Sequence, residues 1–330
     1  MQMALGKTRR VEQPVSPMEP SKSRKSRNLG LRRSWRSPSS TPLESFATFL
    51  VWSCSLVSVA TTIGIIVFLT REAVEFFQQI SIWEFITGTQ WSPLWEPKHF
   101  GILPLLSGTL VVGVGACLIA VPIGALSALF LSEYTAGSWR VGMKSLLEVL
   151  AGVPSVVYGF FAVTFITPQL RTFIPDLEVF NALSAAIVVG IMIIPTIASV
   201  SQDAFQAVPR ELREAAYGLG ARKYQVACTV VFPSALSGFI ASVILGFSRA
   251  IGETMAVSLA AGATPNMSWN PVHSIQTMTA YIVQVSLGDI SAGTIEYSSL
   301  FAVGLTLFAM TLGANVVANF IVQKFQGSRV

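Results

Sequence analysis

The sequence predicts an all-α polytopic membrane protein with six transmembrane helices, and three observations carry that expectation. First, 52% of the 330 residues are hydrophobic and only 12% are charged, about half the charged fraction of an ordinary soluble domain. Second, six segments reach the roughly twenty mostly apolar residues that a bilayer-crossing helix needs. Third, lysine and arginine are divided unequally among the loops, as they are when one side of a membrane is cytoplasmic.

Residues 1–44 form the first element. They hold ten Lys/Arg against Glu12, Glu19 and Glu44, a net +7, so the rest of a +5 chain carries −2. The segment is rich in Ser and Pro and poor in apolar residues, which reads as a disordered cytoplasmic tail. Its positive charge serves as a topology signal and attracts anionic lipid. No aromatic platform accompanies it, so nucleic acid is not an expected partner. The first apolar run begins only after Glu44 and is too long for a cleavable signal, which makes it an uncleaved span.

The predicted spans run roughly over 46–69, 103–131, 145–166, 183–201, 235–261 and 300–322. Pro122, Pro154 and Pro195 interrupt three of them, and interior prolines kink helices that neighbours then re-satisfy. In domain terms, the first transmembrane helix covers 45–70 and an extracytoplasmic loop covers 71–102. A permease-like membrane domain covers 103–325 and includes a cytoplasmic loop at 202–234, and 326–330 are a cytoplasmic C-terminus. Counting the loops places 18 Lys/Arg on one side and Arg71, Lys98 and Arg171 on the other, with Arg249 left inside a span. Both termini are therefore expected in the cytoplasm of a cell whose inner membrane holds the chain. Trp83, Trp91 and Trp95 in the first outside loop read as an interfacial helix and an aromatic anchor.

Within the cytoplasmic loop, Pro209 suits a helix start. Leu212, Ala215, Ala216 and Leu219 recur at helical spacing among charges. Gly218 and Gly220 end that helix, and a second short one runs from Arg222 to Val230 ahead of Pro233. A small helix–turn–helix of this kind suits docking into a partner's groove.

Glu214-Ala215-Ala216, then Gly220, then Val230-Val231-Phe232-Pro233 resembles the EAA loop of ABC-importer permeases. Val230 and Phe232 stand where the family more often has isoleucine and leucine. The resemblance implies a type I importer permease fold. It also implies that Glu214, Ala215, Ala216, Gly220 and Pro233 couple the membrane domain to an ATP-binding subunit. The chain itself has no G-x-x-x-x-G-K-[ST] phosphate loop, so it is not expected to be an enzyme, and no cofactor is expected. LFLSEYTAG, LLEVLAGVPSVVYGFF, GFSRAIGETMAV and FITGTQWSP, over about residues 45–325, resemble the phosphate-specific permeases of PstC type. That likeness implies a PstA-type second permease, two copies of an ATPase and an extracytoplasmic phosphate-binding protein.

Arg249 and Glu253 lie inside the fifth predicted span, where a central charge costs about 2.5–3.5 kcal/mol on insertion scales. At i and i+4 on one helix they are expected to pair, and an arginine fork also binds phosphate oxyanions. The reading is that Arg249 meets the anion, Glu253 holds it and limits its affinity, and Ser248 and Thr254 add hydroxyls. The alternative is a purely structural buried ion pair. Glu148, at the cytoplasmic end of the third span, reads as an interfacial or hydrogen-bonded residue rather than a proton relay. Cys54, Cys117 and Cys228 are scattered, and His99 and His273 fall in outside loops, so neither a metal site nor a catalytic group is expected.

Three functions stay open on residues alone: an ATP-driven phosphate permease, the same architecture for sulfate or molybdate, and an ion-coupled secondary anion transporter.

Overall fold

The computed structural model describes residues 42–291 and 293–327. The basic tail expected over 1–44 lies outside the described residues except for its last three, and so does the C-terminal stretch 328–330. The chain divides into a unit Met1–Ser58, helical throughout its described part, and a unit Val59–Val330 that holds both functional loci described below.

Helix α1 runs from Pro42 to Gln79, followed by the short α2, Ile82–Thr87. A minimal antiparallel pair comes next, β1 (Trp91–Ser92) against β2 (His99–Phe100), with Trp91 opposite Phe100. Then come α3 (Leu103–Leu129), which continues as a π turn over Phe130–Tyr134, α4 (Gly137–Gly152), α5 (Ser155–Phe161) and α6 (Thr167–Arg171). Helix α7 spans Ala182–Gln206, α8 Arg210–Gly218, α9 Lys223–Gln225 and α10 Phe232–Ser234. The chain closes with α11 (Leu236–Ile251), α12 (Met255–Ala260), α13 (Met278–Leu287) and α14 (Ile295–Gly327).

Among the described residues, four helices are long and apolar enough to cross a membrane: Ser45–Gln79, Leu103–Tyr134, Ala182–Gln206 and Ile295–Gln323. Two bent pairs bring the number to six when each is one span: Gly137–Gly152 with Ser155–Arg171, bent by 82°, and Lys223–Ser234 with Leu236–Ile251, bent by 73°. The all-α polytopic class follows from the apolar runs.

Two spans differ from the continuous helices expected. The third breaks at Pro154, because the residue before a proline is driven out of the helical region; Val153 sits at φ −65°, ψ 129°. The fifth does not continue to residue 261. It stops at Ile251, and a short second helix begins only at Met255. A helix at 278–287 was not expected, since ten residues are too few to register as a span.

Helices α3 and α7 form the centre, where small residues allow close approach, as membrane helices require. A Cβ on Gly190 would stand 3.1 Å from the Ala116 carbonyl oxygen, and one on Gly124 only 2.8 Å from Ile197. Helix α7 is capped by Asn181, whose Oδ1 accepts from the Ser184 N–H at 2.7 Å. Around the small β pair, Phe76, Phe85, Trp91, Phe100 and Tyr281 pack edge-to-face. Trp91 is therefore a core residue, 3% exposed, rather than part of the aromatic belt; Trp83 and Trp95 are exposed. Sequence alone does not separate the two roles, because both environments favour large aromatic rings.

Candidate functional site

The loop over 202–234 folds as the expected hairpin. Helix α8 presents Glu214 and Ala215 outward, while Ala216 turns toward a small core of Phe205, Val208, Val226 and Val231. Gly220 adopts φ +82°, which glycine reaches without penalty. The Gly220 N–H donates to Tyr217 O and the Ala221 N–H to Ala216 O, at 2.9 and 3.1 Å. This is a Schellman ending, and it uses carbonyls that a helix end otherwise leaves unpaired. The turn lifts Leu219 into solvent with 91% of its surface exposed. Pro233 lies exposed in the first turn of α10.

What fixes this hairpin to the spans is Arg213. Its guanidinium donates to Glu133 Oε1 at 3.1 Å, to the Val208 carbonyl at 2.6 Å and to the Phe205 carbonyl at 2.7 Å. Glu133 belongs to the π turn that ends α3, the Phe205 carbonyl to the last turn of α7, and the Val208 carbonyl to the residues just beyond it. A cation here meets both a carboxylate and the negative end of a helix. The side chains of Arg213 and Glu133 are 16% and 7% exposed. Alongside, Arg140 donates to the carbonyls of Ser132 and Thr135 and stiffens the same turn. Arg213 and Glu133 are 80 residues apart in sequence, so no local periodicity joins them. The only signal was a carboxylate at the end of the second apolar run.

The second locus is the interruption of the fifth span. Arg249 and Glu253 do not form the expected ion pair: none links them among the described residues. The helix that was to hold both on one face ends between them, at Ile251. Instead, Glu253 Oε1 accepts from the Ala256 N–H at 3.2 Å, a carboxylate placed at the N-terminus of α12 where a helix favours negative charge. The Thr279 hydroxyl donates to the Glu253 carbonyl at 2.8 Å and helps hold the break. Arg249, exposed on the last turn of α11, donates through Nη1 to Thr196 Oγ1 of α7 at 3.0 Å. Ser248 donates to Asn315 Oδ1 of α14, and Thr254 to the Gly252 carbonyl. The structure thus brings Arg249 beside Thr196 but separates it from Glu253. A guanidinium without a carboxylate keeps its donors for an anion.

A recess of about 280 Å³ lies between α4 and α7, lined by Lys144, Glu148, Pro195, Thr196, Ser199 and Gln202 among others. Glu148 is exposed and makes no hydrogen bond or ion pair among the described residues, so of the two expected roles the hydrogen-bonded one is not seen. In the loop before α7, Glu178 accepts from the Ser274 N–H at 2.6 Å and pairs with His273 Nδ1 at 3.1 Å. These bonds hold the Glu178 carboxyl below its ordinary value. The loop before α7 is thereby tied to the loop before α13. No three His, Cys, Asp or Glu side chains converge to hold a metal among the described residues.

Residues 120–327 match the family described as "Binding-protein-dependent transport system inner membrane component". Over 264 residues the chain is 33% identical to the "Probable ABC transporter permease protein YqgH" of Bacillus subtilis (strain 168), covering 79% of this chain and 85% of that protein. Over 309 residues it is 32% identical to the "Phosphate transport system permease protein PstC" of Haemophilus influenzae, covering 84% and 96%. Among solved structures, a bacterial ABC transporter involved in the import of the acidic polysaccharide alginate matches with a TM-score of 0.56 at 16% identity. It covers 83% of this chain and 96% of that one, and at that identity the likeness is one of fold.

Proposed function

The chain belongs to the family of binding-protein-dependent transport system inner membrane components, and from that premise we propose that it is the PstC-type permease subunit of an ATP-driven phosphate importer. The partners in this reading are a PstA-type second permease, two ATP-binding subunits and an extracytoplasmic phosphate-binding protein. Both termini face the cytoplasm in this reading. The observation that carries it is the hairpin of α8, whose exposed tip is braced to the spans by Arg213. A secondary transporter has no use for such a docking element.

In this reading the ATPase moves α8 when it closes on ATP. Because Arg213 bonds the ends of both α3 and α7, a push on the hairpin shifts two spans together and alternates access. Glu214, Ala215, Ala216, Gly220 and Pro233 shape the docking surface and its exit into the fifth span. Phosphate meets Arg249, which lies beside the break and carries no carboxylate partner. Ser248 and Thr254 position the backbone around it, and Glu253 keeps α12 in place rather than tempering the arginine. Moderate affinity, which a transport site needs in order to release its ligand, then comes from the single cation.

The test is uptake by the complete assembly in vesicles, with and without ATP, competed by sulfate. ATP-dependent phosphate uptake that resists sulfate is expected. Uptake without ATP would point to a secondary transporter, and equal competition by sulfate to a general oxyanion permease. Arg249→Gln should assemble normally and lose most uptake; normal assembly with normal uptake would remove Arg249 from the route.

A further inference from the structure

We infer that the recess between α4 and α7 is a selectivity station that admits a tetrahedral oxyanion only while it carries a proton, an inference that rests on the phosphate reading above. Its position links it to Arg249, since Thr196 lines the recess and also accepts the arginine's hydrogen bond. Its chemistry is mixed. Lys144 offers an ammonium whose nearest carboxylate oxygen, Asp203 Oδ1, stands 3.8 Å away. Thr196 and Ser199 offer hydroxyls.

The remaining two polar groups are acceptors without donors. Gln202 is 2% exposed, and its Oε1 has no hydrogen-bond partner among the described residues. The Glu148 carboxylate makes no ion pair there. A buried acceptor left unsatisfied is costly, so the Gln202 oxygen calls for a donor that arrives with the cargo, and the exposed Glu148 carboxylate lines the same recess as a second acceptor. Sulfate at neutral pH has only acceptor oxygens; it would satisfy Lys144 and the hydroxyls but face the Glu148 carboxylate oxygen to oxygen and leave Gln202 Oε1 without a donor. Phosphate at the same pH keeps at least one P–OH, which donates to an acceptor while its other oxygens take the ammonium and hydroxyls. One hydrogen bond involving a charged group, about 1.5–3 kcal/mol, separates the two anions by about ten- to a hundredfold.

The experiment uses the complete assembly in vesicles. Ser199→Cys is treated with a small thiol reagent, and modification at position 199 is read by peptide mass spectrometry, which separates it from Cys54, Cys117 and Cys228. Phosphate, and equally arsenate, should slow the modification several-fold, while sulfate at the same concentration should not. Gln202→Leu and Glu148→Leu should each weaken the phosphate protection in assemblies that still co-purify intact. If Ser199→Cys fails to assemble, reductive methylation of Lys144 in the unsubstituted assembly gives the same readout. Equal protection by sulfate and phosphate, or none by either, in an assembly that takes up phosphate with ATP would overturn the inference alone. Loss of ATP-driven phosphate uptake in the parent assembly would instead remove the reading it stands on.

Discussion

Replacing Arg213 with glutamine should uncouple ATP hydrolysis from transport, and the bonds around it set the magnitude. The guanidinium makes one charged bond to Glu133 and two to backbone carbonyls, of which a glutamine amide reaches one at most. Glu133, at 7% side-chain exposure, is then left as an almost buried carboxylate without its cation, a loss of about 3–5 kcal/mol for a fully buried pair. Both side chains keep some contact with solvent, so the lower end of that range, about 3 kcal/mol, is expected for Arg213→Gln. Glu133→Gln leaves the arginine its two carbonyls and should cost about 1–2 kcal/mol. The double variant no longer strands a charge, and should lose about 1–3 kcal/mol less than the two single losses combined. Stability is read from thermal unfolding of the detergent-solubilised assembly, and coupling from phosphate transported per ATP hydrolysed in vesicles. The transported ratio should fall about tenfold in Arg213→Gln, corresponding to some 1.4 kcal/mol of lost transmission. Strictly additive single losses, or a parental transport ratio in a folded Arg213→Gln assembly, would refute the reasoning.

Three further outcomes follow from geometry already described. Gly220→Ala places a Cβ in open space but at φ +82°, so its cost is the left-handed backbone alone, about 1–2 kcal/mol; co-purification with the ATPase should weaken while membrane insertion is unchanged, and Gly220→Asn should be milder. Gly190→Leu drives a side chain into the Ala116 carbonyl and Ile119 and should destabilise the α3–α7 packing by about 1–3 kcal/mol, seen as a lower thermal midpoint. The folded Glu178 carboxyl lies below its ordinary 4.5, so the contribution of its bonds is complete above that value and is lost as pH falls through the lower folded one. Hydrogen exchange at the Ser274 amide should therefore stay protected at pH 4.5 and open only in more acidic solution; opening already at pH 6 would contradict it.

The spans and the hairpin were legible because each is written in local terms: twenty apolar residues, or a glycine placed where a helix must turn left-handed. Pro154 was visible as an interruption, but whether a proline kinks a helix or ends it depends on the packing around it. The break after Ile251 was harder to read. Gly252 is the only weak helix former there, and what stabilises the interruption is Thr279, 26 residues away in sequence. The same blindness to distance hid the Arg213–Glu133 bridge and led the i, i+4 rule to pair Arg249 with a carboxylate where its partner is the Thr196 hydroxyl. Periodicity reports a helix that exists; it does not report where one stops.

The interruption at Gly252–Thr254 also bears on the chain's life before assembly. A segment that leaves peptide groups outside a regular helix at membrane depth is tolerated only where protein or water covers it, and beside it stands an exposed guanidinium. Facing hydrocarbon alone, this stretch is a mark of incompleteness that membrane proteases can act upon. In the assembly proposed above, the abundance of the subunit should then follow the supply of the second permease. An unassembled copy would be short-lived.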